Sequence, residues 1–315
     1  MADQGYEAIS VVVPVYNSEA TLCRLVDRIT AALEATGADY EILLVNDGSR
    51  DQSWQRIAAL AADVPRVRGI NLMRNYGQHN ALLCGIRAAR NDVVVTLDDD
   101  LQNPPEEISR LLDKLRRGFD VVYGTPVQQQ HGFWRLMASR VTKLVLQESM
   151  GAETARHVSA FRAFRTPVRA AFDRYHAPLV SIDVLLTWGT TRFAAVPVRH
   201  DARPVGRSNY TLSKLVVHAL SMVTGFSALP LQVASYVGFS FTIFGGLVLL
   251  YVIGRYLIEG GSVAGFPFLA SVVAIFSGAQ MFALGVIGEY LARIHFRTMD
   301  RPVYLERERA GWKDH

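Results

Sequence analysis

The chain has 315 residues, of which 50% are hydrophobic and 20% charged, and its net charge is +4. That is too apolar for a wholly water-soluble enzyme of this length, so a membrane portion is expected. The basic excess gathers around the apolar C-terminal third with no nucleic-acid-binding motif beside it, which points to anionic lipid and argues against nucleic acid as a partner.

In chain order, the opening residues include Asp3 and Glu7, and the first apolar run is only strand length, so no secretory signal is read there. Ile9 to Pro14 has a buried-strand pattern. From Glu19 to Thr36, Leu22, Leu25, Val26, Ile29 and Leu33 recur at helical spacing. A second strand, Tyr40 to Asn46, ends in Asp47-Gly48-Ser49, in its plainest reading a turn, and Asp51 is placed to cap a helix carrying Trp54, Ile57 and Leu60. A third, Val67 to Leu72, runs into Arg74-Asn75-Tyr76-Gly77 before a helix from His79 to Ala89. Cys23 and Cys84 fall in two of these helices with no CxxC or His partner, so both read as buried, reduced residues.

The fourth strand, Val93 to Leu97, discharges into Asp98-Asp99-Asp100. Ligands of open α/β sheets bind at the carboxyl ends of strands, which is where these carboxylates fall. Strand alternation sends Asp98 and Asp100 to one side and Asp99 to the other, with Gln102 turning back toward the first pair. An all-oxygen set of this kind suits Mg2+ or Mn2+, which share their remaining positions with water and phosphates, so the stretch suggests a nucleotide diphosphate. The plain alternative is an acidic, solvated turn. Asn103 reads as a helix cap, with Pro104 at the first helical position and Glu106 completing a capping box. Strands alternating with helices imply an α/β domain with a mostly parallel sheet, whose strand ends offer Tyr16, Asn17, Asp47, Arg74, Asp98 and Asp100 to one crevice. No GxGxxG or GxxxxGK[ST] follows any strand, so neither a dinucleotide fold nor a P-loop is indicated.

Three segments in this order, VVVPVYNSEATL, LLVNDGSRDQSW and DDDLQNPPE, resemble the inverting family 2 glycosyltransferases with a GT-A fold, a Rossmann-like, mostly parallel sheet. The resemblance implies that Pro14, Tyr16, Asn17, Asp47, Arg74, Asp98 and Asp99 bind the nucleotide sugar. It also implies that Asp98, Asp100 and Gln102 serve the metal and diphosphate, with Asp100 catalytic.

Beyond a fifth strand, Val121 to Gly124, apolar residues from Phe133 to Leu146 recur at helical spacing with Arg135, Arg140 and Lys143 between them. Such a helix lies flat in a bilayer interface or packs on the sheet; both remain open. Ile182 to Trp188 reads as helix and Arg192 to Val198 as a short strand. Arg203-Pro204-Val205-Gly206-Arg207-Ser208-Asn209-Tyr210 resembles the RxxGxSKY block of polyprenyl-phosphate glycosyltransferases, with Asn209 where Lys is usual. The resemblance makes Arg203 the residue that stabilises the departing diphosphate, and Arg162 and Ser208 candidates for the acceptor phosphate; in its plain reading Arg203 is a solvated loop arginine. Segments RNYGQHNALLCG and FLASVVAIFSGAQMFALGVIGEYLARI are similar to the bacterial branch that attaches aminoarabinose or glucose to undecaprenyl phosphate. The chain departs from that family at Thr125 to His131, where relatives carry an arginine-rich segment, and at Ala160, where Asp is common.

Two apolar stretches, about 233–255 and 266–288, are each long enough to cross a bilayer. Lys214 and Arg207 precede the pair and Arg293, Arg297 and Arg301 follow it, so the positive-inside rule puts both termini and the catalytic part in the cytoplasm. The expected organisation is a catalytic domain over 1–210, a juxtamembrane amphipathic helix over 211–228, a two-helix hairpin over 229–292 and a basic tail over 293–315. The expected activity is metal-dependent, inverting transfer of a sugar from a nucleotide diphosphate, UDP rather than GDP, to polyprenyl phosphate. The family also implies a homo-oligomer. Two rival readings are a processive polysaccharide synthase, against which the missing QxxRW motif counts, and an inactive lipid- or nucleotide-binding scaffold, against which the intact aspartates count.

Overall fold

The computed structural model describes residues 8–126, 157–177, 179–201, 229–259 and 265–312. The expected interfacial helix at 133–146, the helix at 211–228, and His131, Arg203 and Ser208 lie outside them. The described residues divide into two compact units, one made of 1–216 with 300–315 and the other of 217–299.

In the first unit, β1 (Ile9–Val15), β2 (Tyr40–Asn46), β3 (Val67–Leu72) and β4 (Val93–Thr96) alternate with α1 (Leu22–Glu34), α2 (Ser53–Asp63) and α3 (Gln78–Ala88). A short 3-10 turn at Pro105–Glu107 leads into α4 (Ile108–Arg116), followed by β5 (Val121–Pro126), β6 (Arg162–Arg165), α5 (Ile182–Gly189) and β7 (Phe193–Val198). After the second unit the chain returns as β8 (Glu306–Ala310). The sheet has eight strands in the order β7-β5-β6-β4-β1-β2-β3-β8. It is parallel throughout except for β6, antiparallel to both neighbours, and β8, antiparallel to β3.

All seven residues of β1 are buried, because helices cover both faces of the central strands. On one face Val11, Val13 and Val15 meet Leu25, Val26, Ile29 and Leu33 of α1 in the main core. Each such side chain contributes roughly 1.5–3 kcal/mol of burial. On the other face Val12 and Val45 lie against Gly85 of α3, where an added Cβ would meet a Val12 methyl at 2.4 Å. The pairing of Val12 with Thr96 and of Val15 with Asn46 brings the ends of β4, β1 and β2 to one edge.

Four expectations are corrected here. The capping box at Asn103 does not form. Asn103 is buried, the helix starts at Ile108, and Glu106 instead takes the Arg28 guanidinium with both oxygens, at 2.9 and 2.8 Å. Cys23 is exposed, since its side of α1 faces away from the sheet, whereas Cys84 is buried. The basic tail is in part the sheet strand β8. Finally, β4 stops at Thr96, so Asp98 to Asp100 diverge through a turn and not by strand alternation; Leu101 in that turn has φ +60°.

The second unit contains α6 (Leu229–Glu259) and α7 (Phe266–Thr298). They hold two segments long and apolar enough to cross a membrane, Pro230–Arg255 and Ile275–Thr298. The helices touch through Phe241 and Phe276, ring centroids 5.7 Å apart, with Gly245 leaving room for the Phe276 ring. Phe239, Leu247, Leu250 and Leu257 point outward, a surface that water would strongly disfavour and lipid would accept. Glu289 pairs with Arg293 one turn on, at 2.7 Å.

Candidate active site

The site forms at the carboxyl ends of β1 to β4. Asp99 is the tie between two of these ends: its Oδ2 accepts the Tyr16 N–H at 3.1 Å and the Ser18 hydroxyl at 2.5 Å, and its carbonyl accepts the Thr21 hydroxyl at 3.0 Å. Desolvation raises its pKa, against the pull of Ser18 and Tyr16. Asp98 turns the other way, toward α3, where Gln78 Nε2 donates to its Oδ1 at 2.5 Å. Burial pushes the Asp98 carboxyl up to about 7, helped by the neighbouring Asp100 and Asp99 and opposed by Arg162 and Gln78. Asp100 Oδ1 accepts the backbone N–H of Gln102 at 3.1 Å, a tight turn that closes the aspartate segment.

Asp47, at the end of β2, is buried, and both its oxygens accept backbone N–H groups of the next loop, from Tyr76 at 2.7 Å and Gly77 at 2.9 Å. Burial nevertheless raises its pKa to about 6. Its direct work is to hold the loop carrying Arg74, whose guanidinium stacks 4.7 Å over the Tyr76 ring. Gly48 permits this arrangement: its φ is +64°, and a Cβ there would lie 2.5 Å from Arg74 C and Asn75 N. Tyr16 and Asn17 are exposed on the facing loop, whereas Pro14 is buried within β1. Asn17, at φ +54°, accepts the Arg50 N–H at 2.8 Å, and its own N–H donates to Ser49 Oγ at 2.9 Å.

Arg162 needs correcting as a direct acceptor contact. Its side chain is 2% exposed and pairs with Asp183 in the first turn of α5, while its Nε donates to Thr96 Oγ1 at 3.1 Å. It is a buried counter-charge behind the aspartates. Tyr123 also donates to Asp183, at 3.2 Å. Gln78, Ser18, Thr21, Thr96 and Asp183 were missed in the sequence because ordinary polar residues acquire these roles only through long-range contacts. Asp201 approaches from the far side, its N–H donating to Gln102 O at 2.8 Å.

Among the described residues no three His, Cys, Asp or Glu side chains gather as a metal cluster. The acidic pair does fit a hard divalent ion: Asp98 and Asp100 lie close enough to repel each other, which a bound cation would relieve.

The family model for glycosyl transferase family 2 matches residues 10–174, which include the ends of β1 to β4 and the aspartate turn. The chain belongs to glycosyltransferase family 2. This family 2 glycosyltransferase is 38% identical over 306 residues to the undecaprenyl-phosphate 4-deoxy-4-formamido-L-arabinose transferase of Shewanella sediminis, covering 96% of this chain and 92% of that one. It is 37% identical over 305 residues to the protein of that name from Pseudomonas aeruginosa, covering 96% and 90%. Among solved structures, glucosyl-3-phosphoglycerate synthase of Mycobacterium tuberculosis, crystallised with Mn2+, UDP-glucose and phosphoglyceric acid, superposes with a TM-score of 0.53 at 20% identity. The match covers 69% of this chain and 78% of that one, and it shows the GT-A fold.

Proposed function

We propose that this glycosyltransferase moves a sugar from a nucleotide diphosphate to undecaprenyl phosphate, or a related polyprenyl phosphate, at the cytoplasmic face of a membrane. The observation that carries the reading is the carboxylate turn of Asp98 and Asp100, joined through Gln78 to the Asp47-held loop, in a chain that also has two membrane-length apolar helices. The names of the relatives support the acceptor and make 4-deoxy-4-formamido-L-arabinose the first donor sugar to test. Resemblance to the aminoarabinose and glucose branch favours UDP over GDP.

Asp98, Asp100 and Gln102 would hold Mg2+ or Mn2+, which supplies Lewis-acid stabilisation to the departing diphosphate. Asp99 fixes the loop of Tyr16 and Asn17 against the aspartates, and the loop with Arg74 closes the opposite wall. The acceptor has a second pKa of about 6, so its oxygen is already anionic at neutral pH and needs no strong base. The chain's task is to orient that oxygen and to balance charge on the leaving group. The resemblance of the block Arg203 to Tyr210 to polyprenyl-phosphate glycosyltransferases gives the second task to Arg203. Ser208 is proposed to contact the acceptor phosphate, and inversion follows from the family.

Strand β8 supports the topology. Residues on both sides of the hairpin belong to one folded unit, which favours a hairpin whose two ends emerge on the same face of the bilayer. The flanking basic residues favour the cytoplasmic face. The test is transfer of radiolabelled sugar from UDP-linked donors to undecaprenyl phosphate in detergent, with and without EDTA. Label in the organic phase, lost on chelation and restored by Mg2+ or Mn2+, is the expected result. Label that persists in EDTA would remove the metal from the reading.

A further inference from the structure

The loop between β3 and α3 is braced from two directions, and only one brace belongs to the site as described above. On one side Asp47 holds Tyr76 and Gly77. On the other, the segment that follows the apolar hairpin takes hold of the loop's first residue: the Met73 N–H donates to Leu305 O at 2.9 Å, and Arg307 Nη2 donates to Met73 O at 3.1 Å. Behind this contact Glu308 accepts from Asn71 Nδ2 at 2.9 Å, and Asn71 accepts in turn from Asn46 at 2.8 Å, one residue before Asp47. Tyr304 and Trp312 pack on the same small apolar cluster as Tyr76, and the Trp312 indole donates to Gly69 O at 3.2 Å. Six residues therefore run from a brace at Met73, past Arg74, through the Asp47 clamp, to Gln78 on Asp98.

We infer that the post-hairpin segment Tyr304–Trp312 is a positioning element of the donor site, with Arg307 and Leu305 fixing where the loop of Arg74 and Tyr76 stands. An edge strand that served only to cover β3 would need no side chain reaching to the loop beyond the sheet. Arg307 is exposed and bonds the loop; Arg309, two residues on, stacks 4.5 Å from the Trp312 ring and gives its side-chain hydrogen bonds to Glu306 of its own strand, at 2.6 and 3.0 Å. The two arginines thus separate positioning from mere strand stability.

This inference rests on the reading that the loop from Met73 to Gly77 faces the nucleotide. The experiment compares Arg307→Ala, Arg307→Lys, Arg309→Ala and Arg74→Ala in the full-length detergent-solubilised enzyme. It measures KM for the donor, KM for undecaprenyl phosphate, kcat and melting temperature, together with UDP binding in Mn2+ by calorimetry. Arg307→Ala is expected to raise donor KM and weaken UDP binding about five-fold, equivalent to about 1 kcal/mol, with acceptor KM and kcat within two-fold of the parent. Arg307→Lys restores part of the loss. Arg309→Ala lowers the melting temperature with donor KM unchanged. Unchanged donor KM and UDP affinity in Arg307→Ala, or an equal loss in Arg309→Ala, would overturn the inference. If Arg74→Ala also left donor KM and UDP affinity untouched, the donor-loop reading itself would fall; if Arg74→Ala weakened both while Arg307→Ala did not, only the brace would fall.

Discussion

Two buried charged residues near the site work by holding other parts of it. Asp47 keeps an ionisable group out of water for the sake of two backbone N–H bonds, and its pKa rises from 3.8 to about 6. A carboxyl raised on folding binds more protons folded than unfolded between those values, so its contribution to stability is full below pH 3.8 and is lost as pH rises through about 6. Melting temperature should therefore fall over this interval more steeply in the parent than in Asp47→Asn, as scanning fluorimetry from pH 4 to 7 would show. Arg162 is the opposite case, a buried cation whose partner is equally committed. Arg162→Met strands Asp183 and is expected to cost about 3 kcal/mol, whereas Arg162→Met with Asp183→Asn costs less than the two single changes added together. Urea unfolding of the three variants would measure this; additive losses would mean the pair is not coupled.

At the level of elements, the close approach of two loops at Gly48 sets the shape of the proposed nucleotide side. Gly48→Ala puts a Cβ 2.5 Å from the backbone at Arg74 and Asn75, so the expected result is a several-fold loss of UDP affinity by calorimetry, with helix content by circular dichroism unchanged. The first four strands were legible because each is a short, mostly apolar and buried run followed by polar residues. The place of the aspartate turn, just past the end of β4, was legible because an apolar run breaks abruptly into three carboxylates. β6 and β8 were not. β6 is four residues long with arginine at both ends, and β8, Glu-Arg-Glu-Arg-Ala, shows no apolar alternation because it lies at the sheet's edge, where exposed charge is tolerated and discourages further pairing. The buried partners of the site, Gln78 and Asp183 among them, were hidden because no local pattern marks a side chain whose role depends on a distant strand.

For the whole molecule, topology is the consequence most open to test. Cys23 is exposed and Cys84 buried, so the native chain carries one accessible thiol on the catalytic unit. With Ser262→Cys introduced between the two apolar helices, a membrane-impermeant maleimide should label residue 262 in intact spheroplasts and reach Cys23 only after permeabilisation. Labelling of both in intact spheroplasts would contradict a cytoplasmic catalytic unit.

The antiparallel pairing of β8 with β3 also bears on how the enzyme is made. Asn71 and Glu308 lie 237 residues apart in sequence, so β3 leaves the ribosome with its outer edge bare and keeps it bare until both apolar helices have been synthesised. An uncovered strand edge is a template for aggregation, and closing so long a loop in free solution is slow. Chains that fail to insert would then be those left with an open edge, and quality-control proteases would meet them as unfinished sheets rather than as soluble enzyme.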